Sequence, residues 1–192
     1  MKANIFFLVP LFLFSILVAC KKESATKTPE YTVYTIAAGE HYADKSSYKA
    51  ITRLSTMKFL ARFDSSAIYS TTDPNNQADI NKLYGFADNN MTHHAYSARI
   101  GWRWNNNRLE LLGYVYNDSI LNYQPIGNFS FNKDLNCSIA VQGNQYLFTV
   151  DGVELQMPRS SMGTSATGYQ LYPYFGGDET APHKIEIRIK DL

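Results

Sequence analysis

Apolar and polar residues alternate with a period of two over much of the chain, the signature of half-buried strands. The alternation is cleanest over residues 137–142, 145–150 and 153–157. Gly143-Asn144 and Asp151-Gly152 separate these runs. Such pairs supply the positive φ angles of tight two-residue turns, so a three-stranded meander is predicted here. A second hairpin is predicted from 98–104 and 109–116 across Asn105-Asn106-Asn107. Further strands are expected over 31–37, 57–63 and 184–190, the last alternating strictly. Helical periodicity is weak and confined to residues 76–83, where one short helix is expected. Many short strands with recurrent turn signals imply an all-β domain of about 160 residues with one core. The predicted fold is a two-sheet antiparallel jelly-roll sandwich spanning 31–192, with at most one or two short helices. An immunoglobulin-like sandwich is disfavoured, because the domain is long and lacks a Cys-Trp-Cys framework.

The N-terminus breaks this pattern. Residues 5–18 are apolar apart from Ser15, follow Lys2, and give way to charge at Lys21. A run of about fourteen residues is short for a membrane span, which takes roughly 20. A positive residue before a short apolar stretch reads as a secretory signal over residues 1–19. Leu17-Val18-Ala19-Cys20 resembles the lipobox of bacterial lipoproteins. That resemblance implies cleavage before Cys20, diacylglycerol on its thiol, and attachment to a membrane through acyl chains. It places the protein in the envelope, with the outer membrane expected, on its periplasmic or cell-surface face. Residues 20–30 then read as a lipidated cysteine and a flexible tether. Cys137 is left as a lone thiol, expected in the core as a small hydrophobe.

Charge excludes one class of partner. The chain carries 18 Lys and Arg against 17 Asp and Glu, a formal charge of +1. Removing the leader removes Lys2 and brings the balance to zero, so no nucleic-acid partner is expected. Two segments, Asn81 to Trp104 and Leu171 to Ile189, resemble exported lipoproteins typical of Bacteroidetes. This resemblance covers most of the domain and brings no catalytic residue with it. The domain is also similar in general plan to glycan-binding and glycan-cleaving concanavalin-like jelly rolls.

Alternation sorts the candidate chemistry. Ile100, Trp102 and Trp104 share one face of their strand, and Arg99, Gly101 and Arg103 the other. On the partner strand, Leu109, Leu111, Gly113 and Val115 oppose Glu110, Leu112, Tyr114 and Tyr116. The polar face thus collects Arg99, Arg103, Glu110, Tyr114 and Tyr116. Tyrosine rings stack on sugars, and guanidinium forks bind carboxylates or hydroxyls in fixed geometry. The alternative is an ordinary exposed face held by cross-strand Arg–Glu pairing. Gly101 and Gly113 are expected to leave room for a ligand against the backbone.

His94 is a further candidate ligand contact. Tyr174 and His183 are candidates on a rim loop, residues 172–183, with its double glycine Gly176-Gly177. The competing reading of that loop puts Tyr174 and Phe175 into the core. Adjacent His93 and His94 on a strand would point to opposite faces, so no metal site is expected. Asp73-Pro74-Asn75-Asn76-Gln77-Ala78-Asp79 spaces oxygen ligands like half a calcium loop, but it lacks the glycine and the distal glutamate. It reads first as an Asx/Pro turn.

No cofactor is expected, because no phosphate loop, nucleophile elbow or zinc spacing occurs. Glu154, Glu186 and Asp178-Glu179 do not supply the E-x-D-x-x-E strand motif of laminarinase-like jelly rolls. The arginine-containing strand and glutamine-X-histidine motifs of alginate-lyase jelly rolls are likewise missing. The expected function is non-catalytic binding of a glycan or an envelope protein. The alternatives are a lyase acting on an acidic polysaccharide and a structural subunit of a surface complex.

Overall fold

The computed structural model describes Met1, residues 30–161 and residues 163–192. The expected signal sequence, Cys20 and most of the tether lie outside the described residues. Twelve strands run β1 (Thr32–Ile36), β2 (Ala50–Leu54), β3 (Thr56–Phe63), β4 (Asn81–Ala87), β5 (Ser97–Asn105) and β6 (Arg108–Asn117), then β7 (Ile120–Phe129), β8 (Leu135–Gln142), β9 (Gln145–Val150), β10 (Val153–Pro158), β11 (Ala166–Leu171) and β12 (Ile185–Asp191). They form two antiparallel six-stranded sheets, ordered β1-β12-β3-β8-β9-β10 and β2-β11-β4-β5-β6-β7. Among the described residues the helical segments are two 3-10 turns, Ser65–Ala67 and Pro74–Ala78. The jelly-roll sandwich expected from the alternation is the architecture found.

The core lies between the sheets. Phe63 meets Trp102 with ring centroids 5.3 Å apart, and Phe59 meets Tyr84 at 5.0 Å. These rings are fully buried and come from facing strands of the two sheets. Truncating Phe59 or Trp102 to Ala would cost about 3–5 kcal/mol, because lost burial and a residual cavity add. Cys137 lies in this core, and burial pushes its thiol pKa up. Among the described residues no helix is long and apolar enough to cross a membrane.

The predicted turns form as their residues require. Asn106 and Asn107 take φ of 51° and 58°, so the β5–β6 hairpin closes on two residues with Asn105 paired to Arg108. Asp151 and Gly152 do the same between β9 and β10. The weak helical signal resolves differently. Asp73 caps the five-residue turn Pro74–Ala78 by accepting from the Asn75 backbone N–H at 2.9 Å, and the chain then enters β4. Glu179 accepts the backbone N–H groups of Thr72 and Asp73, holding this turn as an Asx/Pro turn. These bonds lower the Glu179 carboxyl pKa to about 2.

Candidate functional site

The outer face of the second sheet carries a cleft of about 640 Å³. Its floor is strand alternation made solid: Lys82 from β4, Arg99 from β5, Tyr114 and Tyr116 from β6, and Tyr169 from β11 all line it. His93 and His94 enter from the turn before β5, and Tyr42 and Tyr48 from the segment after β1. Tyr174 closes another side. It is fixed there by paired backbone hydrogen bonds with Lys82, 2.8 and 3.0 Å long. Its ring stacks on His41 at 5.3 Å and meets Tyr42 edge-on at 4.9 Å.

Arg99 is the central group, only 6% exposed. It is paired in register with Gly85 on one side and Tyr114 on the other. A Cβ at position 85 would stand 2.9 Å from the Arg99 Cγ, so the bare glycine lets the arginine stem lie across β4. The guanidinium rests over the Tyr114 ring at 4.8 Å and near that of Tyr116 at 6.0 Å. Its Nε has no hydrogen-bond partner, and among the described residues no carboxylate pairs with it. Burial lowers its pKa, against the pull of the surrounding tyrosines. Arginine nonetheless keeps its charge in proteins, so the cleft holds a desolvated cation without an anion.

Lys82 adds a second. Its Nζ donates to the Ile80 carbonyl at 2.8 Å and faces the rings of Tyr114 at 4.9 Å and Tyr174 at 5.7 Å. Burial first, and the neighbouring Arg99 second, bring its pKa down to about 8. His93 is kept neutral by burial, with Arg99, His94 and Lys82 adding to the effect, so its pKa falls to about 4. The Tyr169 hydroxyl oxygen accepts the His93 backbone N–H at 3.1 Å and lies 3.0 Å from Nδ1. Tyr114, buried beneath this charge, has its pKa raised to about 12 by desolvation although Arg99 opposes the shift.

The structure therefore gathers five of the seven residues expected at the site: Arg99, Tyr114, Tyr116, His94 and Tyr174. Arg103 shares the face of Arg99 but stands four residues along the strand, roughly 13 Å away. Its Nε binds Glu110 at 2.5 Å and its Nη1 donates to the Ala78 carbonyl at 2.7 Å. That is the cross-strand pairing weighed as the alternative. His183 lies two residues before β12, its Nε2 2.8 Å from the Ser66 carbonyl.

The glycine expectation is corrected. Gly113 faces the core, where an added Cβ would meet Met157 and Leu155, and Gly101 is covered by Ile80. The histidines also depart from expectation, because they sit in a turn rather than on a strand. Both rings reach the cleft, 4.3 Å apart. The rim loop splits: Phe175 plugs the core against Tyr69 at 5.0 Å, while Tyr174 lines the cleft. Among the described residues no group of three or more His, Cys, Asp or Glu side chains could hold a metal ion.

Sequence reasoning missed Lys82, Tyr169, Tyr42 and Tyr48. Lys82 sits in a strand whose register shifts between Lys82 and Tyr84, which hides its alternation. Tyr169 lies in a strand with only one large apolar residue besides, and the other two are on a connection with no period to read.

No family model and no curated protein matches the chain. Solved structures do match its fold. The alginate lyase AlyC3 superposes with a TM-score of 0.59 at 11% identity, covering 85% of this chain and 74% of the other. A family 16 glycoside hydrolase, an endo-glucanase from Bacteroides ovatus, gives 0.54 at 11% identity, covering 85% and 81%. The marine PL7 alginate lyase AlyA1 from Zobellia galactanivorans gives 0.54 at 10% identity, covering 84% and 75%. The chain thus has the jelly-roll fold of these polysaccharide-processing enzymes.

Proposed function

We propose that this protein binds an acidic saccharide in the cleft, seating a uronate-type carboxylate on Arg99, and that it does so at the bacterial envelope, held by lipid on Cys20. The observation that carries this reading is the buried guanidinium of Arg99, which has an unpartnered Nε and, among the described residues, no carboxylate paired with it. A buried cation without a counter-charge is costly, and an incoming carboxylate relieves that cost while gaining charge-assisted hydrogen bonds. Lys82 supplies a second positive group, and the rings of Tyr42, Tyr48, Tyr116 and Tyr174 offer stacking faces at the cleft. Alginate, a polyuronate, is the substrate named for two of the folds that resemble this one.

Binding without catalysis is favoured by proton affinities. With its pKa at about 12, Tyr114 is protonated at neutral pH, and His93 at about 4 is a weak base. An efficient general base has a pKa near the working pH; neither group does, and Lys82, at about 8, donates to the Ile80 carbonyl and is mostly protonated at pH 7. The second reading is β-elimination. The His93–Tyr169 pair beside two cations favours it, as does the lyase fold. In that reaction Arg99 would neutralise the carboxylate, a base would take the α-proton, and the C4–O bond would break as the leaving oxygen is protonated.

Calorimetry of the purified protein with alginate oligosaccharides and with neutral glucans tests the binding reading. Binding of the former alone, lost in Arg99→Met, is expected. Equal binding of both, or no binding of oligouronates, overturns it. Growth of ultraviolet absorbance from an unsaturated product would replace binding by lysis.

A further inference from the structure

We propose that Lys82 is a carbonyl-reactive amine, forming an imine with a small aldehydic or oxo carboxylic acid whose carboxylate sits on Arg99. The proposal rests on the reading of the cleft as an acidic-ligand site and adds a covalent step to it. Lys82 lines the main cleft and also a smaller neighbouring cavity toward Leu121 and Tyr123, so the amine borders both. Among the described residues no carboxylate forms a salt bridge with it, and the Ile80 carbonyl is its one hydrogen-bond acceptor. Two tyrosine rings flank it, at 4.9 and 5.7 Å.

The neighbouring charges are Arg99 on β5, His93 in the turn before it, and Asp79 after the Pro74–Ala78 turn. Arg99 opposes protonation of Lys82, whereas Asp79 acts at longer range in its favour. A lysine desolvated beside another cation holds a far larger free-amine fraction near neutral pH than an exposed lysine does, which is how proteins make imine-forming amines. The Tyr114 ring sets the reach. Lys82 Nζ lies 4.9 Å and the Arg99 guanidinium carbon 4.8 Å from its centroid. One small ligand carrying a carboxylate and a carbonyl on adjacent or nearby carbons, such as an oxo acid or the open chain of a uronic acid, can therefore address both groups.

The chemistry balances within the cleft. The free amine attacks the carbonyl carbon, a C–N bond forms, and the amine proton passes to the oxygen. The carbinolamine then loses water, and a C=N bond replaces C=O.

The test is reductive trapping of the purified full-length protein with glyoxylate and cyanoborohydride, followed by peptide mapping. One carboxymethyl group on Lys82 is expected, formed at least about tenfold faster than on exposed lysines such as Lys58 and Lys133. The rate should climb as pH rises through about 8. Arg99→Met should slow labelling by both aldehydes, because Lys82 then holds its proton more tightly, and should slow glyoxylate about tenfold more than acetaldehyde, because only glyoxylate loses its carboxylate partner. Labelling spread evenly over the lysines overturns the proposal, and the wild-type map alone decides this without any variant having to fold. Oligouronate binding without a Lys82 adduct removes the imine and leaves the binding reading standing. A Lys82 adduct that forms equally with acetaldehyde and glyoxylate, with no oligouronate bound, removes the acidic-ligand reading and the ligand class proposed here.

Discussion

Two arginines are almost fully buried in this sandwich, and they are opposites. Arg159 is 2% exposed and Arg99 6%. The Arg159 Nε donates to Asp88 at 2.9 Å, its Nη1 to the carbonyls of Gly143 (3.0 Å) and Gly163, and its Nη2 to Ser165 at 3.2 Å. Asp88 in turn accepts the Tyr146 hydroxyl at 2.6 Å and the backbone N–H groups of Asn89 and Thr167. This network joins the end of β4 in one sheet to β9 in the other and to the connection before β11. Every partner is internal, so the group holds the fold and has nothing left for a ligand. Arg99 has two aromatic faces and no anion. The difference teaches that burial of a charge does not mark a site; burial with an unmet partner does.

Five experiments break or sharpen this contrast. The largest effect is expected from Arg159→Met, which strands the Asp88 carboxylate inside the protein. A loss of about 3–5 kcal/mol in urea denaturation is expected. Arg99→Met should shift stability by less than about 1 kcal/mol, since it removes a desolvated charge, yet weaken oligouronate binding by about 2–3 kcal/mol, roughly 30- to 150-fold. Were the stability losses of these two variants to match, the contrast would collapse.

Gly85→Ala comes next. Its Cβ would meet the Ala98 carbonyl oxygen at 2.1 Å and the Arg99 Cγ at 2.9 Å, so it should cost about 1–3 kcal/mol by denaturation and weaken oligouronate binding by displacing the arginine stem. A pH titration separates Lys82 from both arginines. Its folded pKa, about 8, lies below the ordinary 10.5, so the unfolded chain binds more protons between these values. Its contribution to stability therefore rises with pH across that window, while calorimetry should show oligouronate affinity falling, by about tenfold, through pH 8. The smallest effect is expected from Arg103→Ala. Its pair with Glu110 is partly exposed, so about 0–1 kcal/mol of stability is expected, with oligouronate affinity unchanged.

Half of the cleft was legible in the sequence because it sits on regular hairpins. Arg99, Tyr114 and Tyr116 follow from alternation on β5 and β6, and the Asn106-Asn107 turn fixes their register. Arg103 obeys the same alternation and still falls outside, because a shared face does not mean a shared place along it. β4 escaped detection because it is buried along nearly its whole length and slips register at Lys82. β7 escaped for the opposite reason: residues 120–125 are exposed, and Pro125 lies beside a register shift on this edge strand.

The sequence by itself determined the sandwich, its tight turns, and which side chains of the central hairpin point away from the core, because period-two patterning and positive-φ turn residues act locally. Only the tertiary structure decided that Arg99 lacks a counter-ion while Arg159 has one. Pairing depends on which distant segments arrive at each guanidinium: Asp88 comes from 71 residues away in the chain. Lys82, Tyr169 and Tyr174 converge on Arg99 from three separate elements, and no local pattern encodes that meeting.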